Sequence, residues 1–171
     1  ICATSGGVCT LRAAIQTANA RTNGGPILLP SGVFTLTIAG RDEDAAQTGD
    51  LDLKKNITIA GANARNCIID AAQLDRVFDV HVGVTASLFD LTIRNGRNIL
   101  SISDTDNQGA GIRNRGTLTL ERVAISGNNG YFGGGIWTAG SAALRRVTIS
   151  GNTAVPFAGG IYVATMVTLT N

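Results

Sequence analysis

Two segments of the chain are near copies of each other: residues 111–128 read GIRNRGTLTLERVAISGN, and residues 135–152 read GIWTAGSAALRRVTISGN. Residues 160–171, GIYVATMVTLTN, begin a third copy. The period of 24 and then 25 residues is read from the aligned isoleucines Ile112, Ile136 and Ile161. Such a period is typical of solenoid proteins, in which each repeat packs only on its neighbours.

Within each copy the pattern is that of short β-strands. Runs such as VAI and VTI alternate apolar and small residues with a period of two, and Gly, Asn and Ser interrupt them every few residues. A three-residue strand cannot bury its apolar face alone, whereas equivalent strands stacked about 4.8 Å apart would form continuous aliphatic ladders. The repeat therefore predicts a parallel β-solenoid of about six coils. An antiparallel sandwich, the alternative, does not explain repeats of equal phase.

Weaker copies of the repeat lie upstream. In residues 87–96, Leu88, Leu91 and Ile93 take the places of the aligned Leu, Val and Ile, and Val80 takes the place of Ile112. Still earlier coils are predicted over residues 56–61 and 27–38. The repeated Asn residues at the turns are expected to bond to each other along the stack, as β-solenoid Asn ladders do; they are Asn128 and Asn152.

The N-terminal part has a different pattern, with a helical spacing of its apolar residues. Leu11, Ala14, Ile15 and Ala18 share one face, and Thr10 can cap the helix N-terminus. Because the end of a solenoid exposes apolar core and unpaired strand edges, we predict a capping helix over residues 10–21. The predicted domains are an N-terminal cap over 1–26 and a β-helix over 27–171, expected to continue beyond 171.

Composition and charge exclude several classes of protein. Apolar residues make up 44% of the 171 residues and aromatic residues only 5%, so we expect an ordered, mostly aliphatic core. The 22 glycines follow no collagen-like period. A net charge of +2 with scattered signs gives no basic surface for nucleic acid. No apolar run is long enough for a membrane-spanning helix.

The three cysteines suggest an oxidising compartment. Cys2 and Cys9 flank a short flexible loop that a disulfide could close, with two free thiols as the alternative. Cys67 lies in a strand-like segment and is predicted to be a small buried residue without a bridge. If the Cys2–Cys9 bridge forms, the protein is exported.

Several motifs resemble those of a known family. Residues 9–19, CTLRAAIQTAN, resemble the CSLREA-type motif near the start of exported bacterial right-handed parallel β-helix proteins. Further segments are similar to the same family: LPSGVFTLT at 29–37, GDLDL at 49–53 and LDRVF at 74–78. The GGGI and ISGN repeats are similar to pectin-lyase-like and polymorphic outer-membrane-type surface proteins. The resemblance implies a right-handed, single-stranded β-helix that is secreted or displayed at the cell surface, and it implies no single activity.

The chain departs from this family pattern at two points. The Glu of the CSLREA motif is Ala13 here, so a reciprocal capping box with Thr10 is lost and a weaker helix start is expected. The FxxN repeats of the polymorphic outer-membrane proteins are absent from the sequence. Membership in that narrower group is therefore not inferred.

The most acidic segment, residues 42–52, is the candidate metal site. Asp50 and Asp52 would share one strand face, and calcium could bridge them with Asp44; the alternative is a solvated loop without a cofactor. Asp104, Asp106 and Asn107 form a looser set that matches no complete calcium motif.

Two other polar positions have structural interpretations. Asp75 and Arg76 are predicted to form a structural salt link or turn, because adjacent strand residues point to opposite faces. His81 alternates with valines and is expected to face solvent.

A second candidate site consists of one residue from each of three coils. Arg113, Trp137 and Tyr162 each follow the aligned isoleucine and should point outward, about 4.8 Å apart. Exposed aromatic rings can stack on sugars, so the three residues are a candidate carbohydrate platform; a local stabilising ladder is the alternative. Phe132 and Phe157 are expected to pack together at a neighbouring corner.

Two functions remain open from the sequence. The first is a non-catalytic module of a secreted or surface protein, acting as scaffold, adhesin or assembly subunit. The second is a polysaccharide lyase or glycoside hydrolase, which a cleft lined by several Asp with Arg or Lys would favour. Because the strand around Leu169 has no charge or proline, we expect further coils or a partner chain to cover that edge. Surface polysaccharide is a further expected partner.

Overall fold

The computed structural model describes residues 9–41, 43–99 and 106–165. In these ranges the chain forms one α-helix and eighteen short strands, and every strand pairing is parallel. The elements are α1 (Leu11–Asn19), β1 (Gly25–Leu29), β2 (Gly32–Thr35), β3 (Leu51–Leu53), β4 (Ile57–Gly61), β5 (Cys67–Asp70), β6 (Phe78–Val80), β7 (Thr85–Phe89), β8 (Thr92–Arg94), β9 (Arg97–Asn98), β10 (Ile112–Asn114), β11 (Thr117–Glu121), β12 (Ala124–Ser126), β13 (Asn129–Phe132), β14 (Ile136–Thr138), β15 (Ser141–Arg145), β16 (Thr148–Ser150), β17 (Thr153–Phe157) and β18 (Ile161–Val163).

The strands form four sheets that the chain enters in a fixed order. One run of the chain through the sheets is here called a passage. Sheet 1 has the strand order β1-β4-β7-β11-β15, sheet 2 the order β2-β5-β8-β12-β16, and sheet 3 the order β3-β6-β10-β14-β18. The shorter sheet 4, β9-β13-β17, is entered between sheets 2 and 3 from the third passage onward. Each passage adds one strand to sheets 1, 2 and 3, and each passage from the third onward also adds one strand to sheet 4. This all-parallel arrangement of short strands is compatible with the predicted parallel β-helix.

The strand register confirms the repeat read from the sequence. Ile112 pairs with Ile136, and Ile136 pairs with Ile161. Leu88, Leu120 and Leu144 are also consecutive partners, in sheet 1. One alignment was wrong by two residues: Ile112 pairs with Phe78, and Val80 pairs with Asn114. The strand period of two explains this error, because Phe78 and Val80 face the same side and are both fully buried.

The core consists of aliphatic ladders, one residue from each strand. In sheet 2 the ladder Ile69, Ile93 and Ile125 is completely buried, and Ile149 at its end is half-buried. Phe78 is the largest fully buried side chain in the described ranges, which fits the low aromatic content. Each isoleucine is covered by the equivalent residue of the next passage, so the repeat itself creates the core.

Helix α1 covers one end of the stack and is shorter than the predicted 10–21. Leu11, Ile15 and Ala18 are buried on its inner face, which packs against β1 and β3. Thr10 caps the N-terminus as predicted, since its Oγ1 accepts a hydrogen bond of 3.2 Å from the Ala13 amide. With Ala13 in place of a glutamate, this is the half of the capping box that the chain retains.

The predicted asparagine bond along the stack is confirmed. Asn128 Nδ2 donates to Asn152 Oδ1 at 2.8 Å, and the Gly96 amide donates to Asn128 Oδ1 at the same distance. Asn152 Nδ2 continues to the Ile125 carbonyl. The side chains of the buried Asn128 and the half-buried Asn152 each therefore bond to backbone groups of the preceding passage.

The cysteine predictions are tested in part. Cys67 is a free, buried thiol, as expected, and burial raises its pKa. Cys2 lies outside the described residues, so the Cys2–Cys9 bridge stays a prediction. Leu169 and the edge around it also lie outside the described ranges. Among the described residues, no helix has the length and apolar character needed to span a membrane.

Candidate functional site

A polar cleft of about 420 Å³ lies beside sheet 3. Its walls come from the segment before β3, the turn before β6, and the residues before and within β10. Most of the lining side chains are charged: Arg41, Glu43, Asp44, Asp50, Asp75, Arg76, Asp106, Arg113 and Arg115. The repeat places these segments side by side, because consecutive strands of sheet 3 are neighbours in the stack.

The centre of the cleft is a buried arginine. Arg76 is 2% exposed; its Nε donates to Asp50 and its Nη2 donates to Asp106 Oδ2 at 2.6 Å. Its Nη1 also donates to the Gln108 carbonyl at 2.8 Å. Burial opposes the charged form, but the attraction of Asp50 and Asp106 outweighs it and raises the pKa of Arg76. Arg76 therefore joins three segments of the chain as a permanent cation.

A second arginine extends this network across sheet 3. Arg113 donates to Asp79 through Nε at 3.0 Å and Nη2 at 2.5 Å, and its Nη1 pairs with Asp106. Arg115 Nη2 donates to the same Asp79 oxygen at 2.7 Å. Burial favours the neutral form of Asp79, but the bonds from Arg113 and the charges of the arginines lower its pKa. Asp79 is thus an ionised carboxylate with no exposed surface.

We expect Asp79 to contribute to the acid sensitivity of the fold. Because its folded-state pKa lies below the unfolded value of about 4, its stabilisation is complete above that value and is lost as the pH falls through the folded-state pKa. Urea midpoints measured from pH 7 to pH 2 should fall less steeply below about pH 4 in Asp79→Asn than in the unmodified chain. Equal slopes in the two chains would contradict this assignment.

Helix α1 positions the segment that precedes β3. The Arg12 guanidinium donates to the backbone carbonyls of Ala46, Thr48, Gly49 and Asp50, at 2.5–3.1 Å. Gln16 Nε2 adds a bond of 2.9 Å to the Ala46 carbonyl. Arg12 is the arginine of the CSLREA-like motif, and in this chain it fixes one wall of the cleft. Its place on the predicted helix gave no indication of these contacts.

His81 lies among carboxylates, and the expectation that it faces solvent is wrong. Its side chain is 17% exposed, and Nε2 lies 3.0 Å from Asp52 Oδ1, 3.5 Å from Asp79 Oδ2 and 3.7 Å from Asp44 Oδ1. Strand alternation does place it on the outer face of sheet 3. The segment before β3 folds over that face, however, so the ring is covered.

The structure places the three predicted calcium ligands in two different environments. Asp44 and Asp52 both lie beside His81, whereas Asp50 is paired with Arg76. Asp50 and Asp52 share a face as predicted, but the guanidinium of Arg76 already pairs with the Asp50 carboxylate. The looser set at 104–107 is also divided: Asp104 is outside the described residues, and Asp106 pairs with Arg76 and Arg113.

Asp75 and Arg76 were predicted to form a structural salt link or a turn, and among the described residues they form no salt bridge with each other. Arg76 does form structural ion pairs, although with Asp50 and Asp106. Asp75 Oδ1 accepts a hydrogen bond of 2.7 Å from the Arg76 amide. Both residues line the cleft, contrary to the expectation of opposite faces, because they lie in a turn before β6 and not within a strand.

The candidate carbohydrate platform has the predicted register but not the predicted exposure. Arg113, Trp137 and Tyr162 are consecutive partners in sheet 3. Arg113 is 7% and Trp137 8% exposed, and Arg113 is occupied by carboxylates, so the first two do not offer an open surface. Tyr162 instead packs edge-on to Phe132, with ring centroids 5.4 Å apart.

The aromatic contact predicted at the neighbouring corner is confirmed. Phe132 and Phe157 stack with centroids 4.8 Å apart and planes 9° from parallel. Tyr131 joins them in an edge-on arrangement, with its ring centroid 5.0 Å from that of Phe132. The spacing of the two Phe rings is the spacing of two strands in a sheet, which explains why equal repeat positions stack.

Comparison with known proteins gives no relative to which the site could be referred. No family model matches the chain, and no curated protein or solved structure matches it. The CSLREA-like motifs therefore remain a resemblance, and we infer function from the geometry of this chain.

Proposed function

We propose that the chain is a right-handed, single-stranded parallel β-helix module of an exported bacterial protein, and that it acts without catalysis as a scaffold, adhesin or assembly subunit. The order in which the chain enters its sheets supports the β-helix, and the CSLREA-like motifs support the handedness and the export. In this proposal the Cys2–Cys9 bridge and a secreted or cell-surface location go together.

The observation that carries the non-catalytic role is the pairing of the charged groups in the cleft. A lyase needs a basic group that can abstract a proton, and a hydrolase needs two carboxyl groups that can reach the glycosidic bond. Here Arg76 and Arg113 are each bonded to two carboxylates, and Asp50 and Asp79 are buried against them. Such mutual pairing supports a structural role, in which the charges hold neighbouring passages together.

One residue favours the second candidate function, a glycoside hydrolase. Asp75 lines the cleft, is 3% exposed and forms no ion pair within 4.0 Å among the described residues. Burial raises its pKa, against the opposing charge of Arg76. A carboxyl group with a raised pKa in a cleft is what a general acid requires.

Incubation of the purified chain with acidic and neutral polysaccharides distinguishes the two functions. We expect no new reducing ends and no unsaturated products. This expectation holds whether or not the chain binds the polysaccharide and is retained in polysaccharide-containing gels. Release of reducing ends that Asp75→Asn abolishes, and that the exposed-site control Asp90→Asn leaves unchanged, would replace the proposal with the hydrolase.

A further inference from the structure

Three side chains beside the cleft bring metal-binding atoms together. Asp44, Asp52 and His81, here called the His81 cluster, place Oδ1, Oδ1 and Nε2 within 4.8 Å of one another. His81 Nε2 is 3.0 Å from the Asp52 oxygen and 3.7 Å from the Asp44 oxygen. Donors that bind zinc at about 2.0–2.2 Å are separated from each other by roughly 3.0–3.6 Å in a tetrahedral or octahedral site. The His81–Asp52 distance lies within that range, and the His81–Asp44 distance lies just above it.

The fold fixes two of these donors and leaves the third on a loop. Asp52 belongs to β3 and His81 directly follows β6, its partner in sheet 3. The His81 amide donates to the Leu53 carbonyl at 3.2 Å, which holds the two donors at one level of the stack. Asp44 comes from the segment whose carbonyls Arg12 holds. The site is therefore supported by backbone bonds that do not depend on a bound ion.

Asp52 differs from the other buried aspartates that form ion pairs. Asp50, Asp70 and Asp79 each accept bonds from at least one arginine. Asp52 is 1% exposed, yet within the described residues its carboxylate bonds only to the Ala46 amide and the His81 ring. A carboxylate removed from water needs a cation or a proton beside it. No arginine or lysine of the described residues forms a salt bridge with Asp52; Arg12 acts on it only from a distance.

The charged groups around the cleft also favour a bound cation. Five acidic residues and four arginines line it. Asp52 and Asp79 add two carboxyl groups and Arg12 adds one guanidinium, so the carboxyl groups outnumber the guanidinium groups by two. A bound cation would reduce this excess, and in the His81 cluster the buried Asp52 contacts the imidazole and forms no salt bridge with an arginine.

We propose that Asp44, Asp52 and His81 bind one divalent transition-metal ion of the zinc or manganese class. An imidazole nitrogen with two carboxylates is a donor set that suits these ions, whereas calcium prefers six to eight oxygen ligands. Asp79 stays outside the ligand set, because its nearest oxygen already accepts bonds from Arg113 and Arg115. The inference goes beyond the proposed scaffold role and does not depend on it.

Titration of the chelator-treated full chain with zinc, manganese, cobalt and calcium chlorides tests the site. Calorimetry should show one zinc or manganese ion per chain, with calcium at least about tenfold weaker. Bound cobalt should give a visible absorption band that reports nitrogen ligation. His81→Gln should weaken zinc binding by more than about tenfold and remove that band.

Two further variants keep the test decisive if His81→Gln alters folding. Asp44→Asn removes a donor that is 65% exposed, so circular dichroism should show an intact fold while the affinity falls. Asp90→Asn, remote from the cluster, should leave binding unchanged. The proposal is overturned if the folded chain binds no zinc or manganese in a one-to-one ratio, if it prefers calcium, or if both cluster variants bind as the unmodified chain does.

Discussion

Replacement of Arg76 by methionine should destabilise the fold by about 3–5 kcal/mol. The change keeps most of the aliphatic stem but leaves Asp50 buried without its cation and Asp106 without one of its two arginine partners. Breaking one side of a buried ion pair is costly because the remaining charge is neither solvated nor paired. Urea unfolding of the variant and the unmodified chain measures the difference.

The matched control is the exposed pair on the outer face of sheets 1 and 2. Arg122 binds Asp90 through Nε and Nη2, at 2.6 and 2.8 Å, and also pairs with Glu121; its side chain is 43% exposed. Arg122→Met also removes two ion pairs, but water reaches both remaining carboxylates, so little change in the urea midpoint is expected. If Arg76→Met were as mild as Arg122→Met, the buried network would not stabilise the stack.

Replacement of Gly111 by alanine should cost about 3 kcal/mol, at the upper end of the range for overpacking. An added Cβ would lie 2.3 Å from the Gly135 carbonyl oxygen of the next passage. That carbonyl cannot move freely, because it accepts a bond of 2.9 Å from the Ile112 amide. Adjacent passages would therefore have to separate, and the ladder bonds around β10 and β14 would lengthen.

Gly160 provides the matched control within the repeat. It precedes Ile161 as Gly111 precedes Ile112, but among the described residues the nearest atom to an added Cβ is Ile149 Cγ2 at 3.8 Å. Gly160→Ala should be neutral or slightly stabilising, since alanine restricts the unfolded chain. Equal urea midpoints for Gly111→Ala and Gly160→Ala would contradict the close stacking of passages.

The sequence predicted the parts of the fold that repeat. Equal spacing of the aligned isoleucines gave the register of sheet 3, and the same phase gave the asparagine bond and the stacked Phe132 and Phe157. Alignment failed at Phe78 and Val80, upstream of the clear repeats, where a period of two does not distinguish a shift of two residues. The helix was predicted over 10–21 with Thr10 as its cap, and it is observed over Leu11–Asn19 with that cap.

The charged cleft could be predicted only in part, because its residues come from segments that do not repeat. The spacing of Asp50 and Asp52 suggested a shared face, but nothing local indicated that Arg76 would take Asp50 as its partner. His81 looked exposed because alternation describes a strand and not the segment that folds over it. The sequence did contain a usable signal. An alignment of coils that matches Asp52, in GDLDL, with Asp79, directly after LDRVF, would have placed the two segments beside each other in sheet 3.

The stacking of repeats in parallel register is the claim on which the rest depends, and electron paramagnetic resonance tests it directly. Thr119 and Ala143 are 24 residues apart and are register partners in sheet 1. Spin labels at these two positions should show strong dipolar broadening, because neighbouring strands lie about 4.8 Å apart. Singly labelled chains supply the background. A doubly labelled spectrum equal to the sum of the two single spectra would contradict the stacked repeat.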